Sequence, residues 1–309
     1  MTKLKKSLEE YLSVRRVLGF KLHQDGNLLH VFVEFVEKKK VCFVTIKLAL
    51  EWATQPKDVQ PAWWAKRLGM VRGFAKYLSA TDPRTEIPTR ELLPYRYHRK
   101  TPHIYTDTEI SKLISIAKKL KSPRGLRATT ISTIIGLLAA TGMRISESIN
   151  LNNKDVDLKS GILTVRGTKF NKSRLVPVHI STRDKLRKYA RLRDKIYPRP
   201  QSPSFFISER GTRFGDHTLR CEFVSLLHQI GLRNHGDSDG PRLHDLRHKF
   251  AVKTMLGWYH SGVNVERNIV ALTTYLGHRS VNDTYWYISG IPELLQLAAL
   301  RLEKEGELT

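Results

Sequence analysis

The sequence predicts a mainly α-helical protein in two domains, with a small β-hairpin or sheet in the second. Three observations carry this. Apolar residues recur at helical spacing through the first ninety residues and again beyond residue 106. One stretch, 161–178, sets β-branched residues on either side of a Gly/Asn turn. Between the helical regions, residues 81–103 hold Pro83, Pro88, Pro94 and Pro102, a spacing that a continuous helix does not tolerate.

A chain of 309 residues has room for two ordinary domains, and 40% hydrophobic residues supply a core. The formal net charge is +24, with a pI near 10.1. Through residue 100 there are 20 Lys and Arg against 10 Asp and Glu; after it, 33 against 19, so the two parts carry +10 and +14. A protein this basic binds polyanions, because Lys and Arg neutralise phosphates and release counterions. Charge in both parts suits two domains gripping one duplex better than a single basic tail. No run approaches the roughly 18 apolar residues of a membrane span. The opening residues carry Glu9 and Glu10 where a signal peptide would be apolar. Cys42 and Cys221 make neither a disulfide framework nor a cysteine-based zinc site. The reading is a reducing compartment: a bacterial cytoplasm, at the nucleoid.

Taken in order, residues 3–19 place Leu8, Tyr11, Leu12 and Leu18 near one helical face. Asp25 is expected to cap a second helix, 26–40, ending in Lys38, Lys39 and Lys40, which suit either phosphate or the negative end of the helix dipole. Thr45 opens a third helix. A fourth follows Pro61, where Lys66, Arg67, Arg72 and Lys76 interleave with Trp63, Trp64, Phe74 and Tyr77. That mixture suits a helix lying on DNA, although the aromatics also suit a core. The stretch 81–103 adds Arg84, Arg90, Arg96, Arg99 and Lys100, and reads as a basic linker with the domain boundary near Arg99. The domains are thus 1–99 and 104–309.

Thr106, Asp107 and Glu109 form an N-terminal cap for a helix at 108–120. The next helix, 126–140, is apolar almost all round and reads as the buried centre of its domain. Gly142 ends it, leaving Arg144 at the start of another helix. After the hairpin come a basic helix at 181–196, a Pro/Ser/Gly-rich loop around Phe205-Phe206-Ile207, a helix at 217–231 and a polar loop. Pro292 opens a last helix, 292–305, too rich in leucine to stand free in water.

Four stretches stand apart from this framework. Residues 137–151 read LLAATGMRISESINL, 161–178 read GILTVRGTKFNKSRLVPV, 241–250 read PRLHDLRHKF, and 275–288 read YLGHRSVNDTYWYI. Within them stand His244 and Arg247 one helical turn apart, Leu276-Gly277-His278, and Tyr287 nine residues after His278. Each fragment alone is weak; the ordered set is specific. It resembles the tyrosine recombinases, the phage-type integrases with their transposon and chromosome-dimer relatives, over about residues 105–290 and more loosely before that.

The resemblance implies a two-domain, C-shaped DNA clamp whose N-terminal helices form a core-binding domain opposite the catalytic one. It implies Arg144 as the first catalytic arginine with Glu147 as its acidic companion, Lys169 on the hairpin turn as the catalytic lysine with Lys172 as the alternative, and His244, Arg247 and His278 around the phosphate. It also implies Tyr287 as the nucleophile, with Tyr285 as the alternative. Lys66, Arg67, Arg72, Lys76, Lys172 and Arg174 are the expected DNA contacts. The partners it implies are double-stranded DNA with inverted half-sites, a homotetramer on two duplexes, a tail docking on a neighbouring subunit, and an accessory protein or sister recombinase.

Physical chemistry agrees with those residue types. Displacement at phosphorus needs positioning and positive charge around the non-bridging oxygens. Arginine's planar fork bonds two oxygens at once and keeps its charge. A phenol with an ordinary pKa of about 10 needs nearby cations to attack as phenolate, and a 5′ hydroxyl leaves well only when protonated. Such a site needs no metal and no cofactor. A zinc pair at His244 and His248 is the competing reading, but a third ligand and a correctly placed glutamate are missing from the pattern. A type IB topoisomerase shares this chemistry, and a non-catalytic DNA-binding accessory protein would share the fold.

Overall fold

The computed structural model describes residues 2–306 except 96–100, 167–172, 200, 238, 279 and 290; for 286, 288, 289 and 301–306 it describes the backbone alone. Chain contacts divide the molecule into two units, Met1–Lys100 and Thr101–Thr309. Lys169 and Lys172 therefore lie outside the described residues, as do the basic linker residues Arg96, Arg99 and Lys100.

The first unit packs four helices, α1 (Lys3–Val17), α2 (His23–Lys38), α3 (Ile46–Ala53) and α4 (Pro61–Leu78), around Leu8, Leu12, Phe32, Val33, Trp52, Val71 and Phe74, all without solvent exposure. The Thr45 hydroxyl accepts from the Leu48 N–H and starts α3, while Pro61 takes the first position of α4, where no N–H is needed. The expected cap at Asp25 is corrected. Leu22, in a left-handed conformation, precedes α2, and Asp25 lies inside the first turn, where its charge still favours the dipole.

Two of the arginines expected on DNA point elsewhere. Arg67 is buried, its guanidinium 3.7 Å over the Trp52 ring and donating to the Trp52 carbonyl at 2.7 Å. Arg72 donates to the carbonyls of Pro88 and Thr89, tying α4 to the segment that follows it. One residue is about 100° of helix, so Arg67 turns into the bundle where Lys66 turns out. Lys66 and Lys76 are exposed, Lys66 lying 5.1 Å from the Trp63 ring.

In the second unit, α5 (Asp107–Ala117) opens with a complete capping box. The Thr106 hydroxyl accepts from the Glu109 N–H, and the Glu109 carboxylate accepts from the Thr106 N–H. Helix α6 (Leu126–Thr141) is the central one, with Ile131, Ile134, Ile135, Leu137 and Leu138 buried against α5, the later α8 (Ile180–Ile196) and α10 (Asp245–His260). Between lie the short α7 (Ile145–Ile149) and an antiparallel sheet of β1 (Val156–Asp157), β2 (Ile162–Val165) and β3 (Arg174–Pro177), in that order. Leu163 pairs with Val176 and Val165 with Arg174. Strand β1 had no counterpart in the sequence reading, because two residues are too short to show a period of two. Helix α9 (Asp216–Gln229) completes this core with Phe223, Leu226 and Leu227.

A second core forms where α10 meets α11 (Val265–Leu276), α12 (Asn282–Ser289) and α13 (Pro292–Gly306). It contains Ala251, Val252, Met255, Leu272, Leu276, Tyr287 and Leu294. The tail's first turn thus folds back on its own unit: Leu294 has no exposure, whereas Leu295 and Leu300 are each 47% exposed. Among the described residues no helix is long and apolar enough to cross a membrane.

Candidate active site

Two helix ends build this site. The last carbonyls of an α-helix have no partner inside it and carry the negative end of the dipole. Here they face arginines. Gly142 ends α6 in the left-handed conformation, at φ 60°, and its carbonyl accepts from Arg247 Nη1 at 2.8 Å. Gly277 ends α11 in the same way, at φ 68°, and its carbonyl accepts from Arg144 Nη2 at 2.8 Å. The Leu276 carbonyl accepts from Arg247 Nη2 at 2.8 Å, and the Tyr275 carbonyl from Arg174 Nε at 2.7 Å. Neither glycine is replaceable by a larger residue. A Cβ on Gly142 would lie 2.6 Å from the Phe250 ring, and one on Gly277 would lie 2.8 Å from the Arg174 guanidinium.

Glu147 joins two of these arginines. Its carboxylate takes a two-pronged contact from Arg174, at 3.0 and 2.8 Å, a third bond from Arg144 Nη1 at 2.8 Å, and the Arg144 N–H at 2.9 Å. Burial alone would raise its pKa, but the bonds and charges of Arg174 and Arg144 win and hold it at about 2. Arg174, expected on DNA, is tied inward here, its side chain only 11% exposed and its guanidinium shared between Glu147 and the Tyr275 carbonyl. Arg144 remains 37% exposed.

Arg247 is 2% exposed and is held from both helix ends. Burial, then the charge of Arg144, lowers its pKa to about 10, so it stays a cation at neutral pH. The positive charge of Arg247 bears on the Tyr287 phenol, and the tyrosine is 3% exposed. Its ring lies 5.9 Å from His278, nearly parallel, and 5.2 Å from His248, edge-on. Burial raises the phenol's pKa, opposed by Arg247 and then Arg144. Tyr285 is 44% exposed.

His244 immediately precedes α10, accessible to solvent yet crowded by protein. That partial desolvation, then Arg247, lowers its pKa to about 4. His278 is lowered to about 4 by burial, then by Arg247 and Arg144. Its Nδ1 lies 2.7 Å from the Thr284 hydroxyl. His248, which the sequence reading treated only as a metal candidate, is buried between the His244 and Tyr287 rings, and burial lowers its pKa to about 3. Among the described residues, no three His, Cys, Asp or Glu side chains come together to hold a metal ion.

The structure therefore brings Arg144, Glu147, His244, Arg247, His278 and Tyr287 into one cluster on the second unit, with Arg174 and His248 packed against it. Arg174 carried a sequence signal, its place beside the hairpin turn, but that signal pointed to DNA. The supporting carbonyls left only the glycines that end the two helices.

Residues 104–291 match the phage integrase family. A putative integrase/recombinase, y4rB, of Sinorhizobium fredii is 44% identical over 99% of both chains. Two solved structures share the fold. One is the XerH site-specific recombinase bound to its palindromic difH substrate after cleavage, with a TM-score of 0.63 at 19% identity over 84% of this chain and 73% of that one. The other is a lambda integrase tetramer bound to a Holliday junction, with a TM-score of 0.61 at 16% identity over 90% and 77%.

Proposed function

Because this chain belongs to the phage integrase family and is a site-specific DNA recombinase, we propose that Tyr287 is its nucleophile and that Arg144, Arg247, His244 and His278 surround the scissile phosphate. The observation that carries this is the placement of Tyr287, buried beside His278 and within reach of the Arg247 charge. Tyr285, on the same short helix, is 44% exposed.

In this reading the Tyr287 oxygen attacks phosphorus as its proton leaves, and the bond from phosphorus to the 5′ oxygen breaks. The product is a 3′-phosphotyrosine and a 5′ hydroxyl. Arg144 and Arg247 are cations locked before substrate arrives, so little reorganisation is needed when charge builds on the non-bridging oxygens. Lys169 is the proposed acid that protonates the 5′ oxygen. Attack by that hydroxyl reverses the step, and the phosphotyrosine conserves the bond energy, so no ATP is required. Comparison with recombinases does not favour the topoisomerase alternative or a purely accessory role.

Finer features belong to the same proposal. The DNA would carry inverted half-sites, four copies would act on two duplexes, the first unit would grip DNA through Lys66 and Lys76, and an accessory or sister recombinase would complete the assembly. A DNA substrate of this kind would put the protein in a bacterial cytoplasm, at the nucleoid.

The test is Tyr287→Phe on a nicked suicide substrate. Binding stays unchanged and the covalent adduct disappears. An adduct in that variant would transfer the role to Tyr285. Adduct yield with the native chain also stays unchanged in excess EDTA; loss that magnesium restores would overturn a site built on arginine.

A further inference from the structure

Behind His278 runs a chain of hydroxyls that the chemistry above does not use. His278 Nδ1 is 2.7 Å from Thr284 Oγ1, which is 2.9 Å from Thr273 Oγ1, which is 2.7 Å from the Ile269 carbonyl oxygen. Thr284 has no solvent exposure and Thr273 has 8%. Each hydroxyl has one proton to give. A carbonyl can only accept, so Thr273 donates to Ile269. The Thr273 oxygen must then receive the Thr284 proton, and the Thr284 oxygen must receive a proton from the ring.

We propose that Thr273 and Thr284 are positioning residues that fix His278 as the Nδ1–H tautomer, leaving Nε2 of the neutral ring as an acceptor. Which ring nitrogen carries the proton is set by the hydrogen bond the other makes, and here that bond is dictated from a helix carbonyl four residues before Thr273. His278 thus meets DNA with a bare Nε2, and can donate from that nitrogen to a phosphate oxygen only after a second proton has bound there. The catalytic consequence rests on the recombinase reading; the tautomer does not.

Two kinds of measurement test this. In the first, nitrogen-15 NMR of the DNA-free full chain, with His278 assigned by its loss in His278→Gln, reads the tautomer directly. The native ring shows a protonated Nδ1 and a bare Nε2. Thr273→Val frees the Thr284 proton to point at Nδ1, so the ring shifts toward Nε2–H. Native protein with a protonated Nε2, or a Thr273→Val tautomer identical to native, overturns the proposal. In the second, adduct formation on the suicide substrate slows about 10- to 100-fold in Thr284→Val, as for other residues that orient a functional imidazole. Thr284→Ser restores the rate, and DNA affinity stays level in both. Native adduct rates in Thr284→Val would remove the positioning role. If Thr284→Val does not fold, the native and Thr273→Val spectra still decide the tautomer. They need neither DNA nor cleavage, so they stand apart from any failure of the recombinase reading.

Discussion

Arg144, Arg174 and Arg247 look alike in the sequence, each in a basic or motif-bearing stretch, yet their surroundings assign them different tasks. Arg247 is buried and held by the Gly142 and Leu276 carbonyls, Arg144 is one-third exposed on the Gly277 carbonyl, and Arg174 is turned inward onto Glu147. Removing one partner of a buried ion pair leaves a charge without compensation, at about 3–5 kcal/mol. Arg174→Gln is therefore expected to destabilise the second unit in urea unfolding, by less than that amount because Glu147 keeps its two bonds from Arg144. It should also slow adduct formation, because Glu147 then orients Arg144 alone. Glu147→Gln with Arg174→Gln should cost less than the sum of the two single changes, since the double change removes both charges of the buried pair. Additive costs would show that the pair is not coupled. Motif reading singled out Arg144 and Arg247, which the structure brings into one cluster, because their spacing from other boxes is distinctive. The inward turn of Arg67, Arg72 and Arg174 was not legible, because composition marks a residue as basic without saying which way its side chain points.

At the scale of elements, the sequence displayed helix signals well wherever caps were local. Thr45, Thr106, Pro61 and Gly142 all mark ends that the structure retains. Backbone partnerships across the fold were not legible, because a carbonyl has no letter of its own; the seat of Arg247 on the ends of α6 and α11 is of this kind. The last helix divides the same way. Its leucines announced an apolar surface without saying what covers it. Leu294 faces the core that contains Tyr287 and Met255, while Leu295 and Leu300 stay exposed. Leu294→Ala should cost about 2–5 kcal/mol, as for other large-to-small core changes, and should lower adduct formation even on a single half-site. Leu295→Asp with Leu300→Asp should leave single half-site binding level but weaken cooperative filling of paired half-sites, if the exposed face meets a neighbouring copy. Gel-shift titrations on one and two half-sites separate the faces, and unchanged cooperativity would assign no partner to Leu295 and Leu300.

Over the whole molecule, charge governs both stability and affinity. His248 is lowered to about 3 and His244 and His278 to about 4, against an ordinary value of 6.5. These rings stay neutral in the folded chain while the unfolded chain takes up protons. Stability is thus full above pH 6.5 and falls as pH drops toward about 4. Glu147, held near 2, contributes fully above its ordinary 4.5 and loses that contribution progressively as pH falls from there through about 2, so it does not explain losses at pH 5. Urea midpoints at pH 7.5 and pH 5 should differ in that direction, and His248→Gln should flatten the difference.

The excess of 24 positive charges acts on binding instead. Each phosphate neutralised on a duplex releases counterions, and log affinity falls against log salt with a slope of about −0.9 per contact. Both parts of the chain are basic, at +10 through residue 100 and +14 after it. In the first unit the internal ties of Arg67 and Arg72 remove two of those cations from the candidates, leaving Lys66 and Lys76 exposed on α4. If those lysines meet the backbone of DNA, Lys66→Gln with Lys76→Gln should make the salt slope shallower by about two contacts, or roughly 1.8 in log–log units. Arg67→Gln should leave the slope in place and lower stability, because its guanidinium packs on Trp52 within the bundle. Filter-binding titrations between about 50 and 200 mM salt give the slopes. An unchanged slope in the double lysine variant would mean that the basic face of α4 does not touch the duplex.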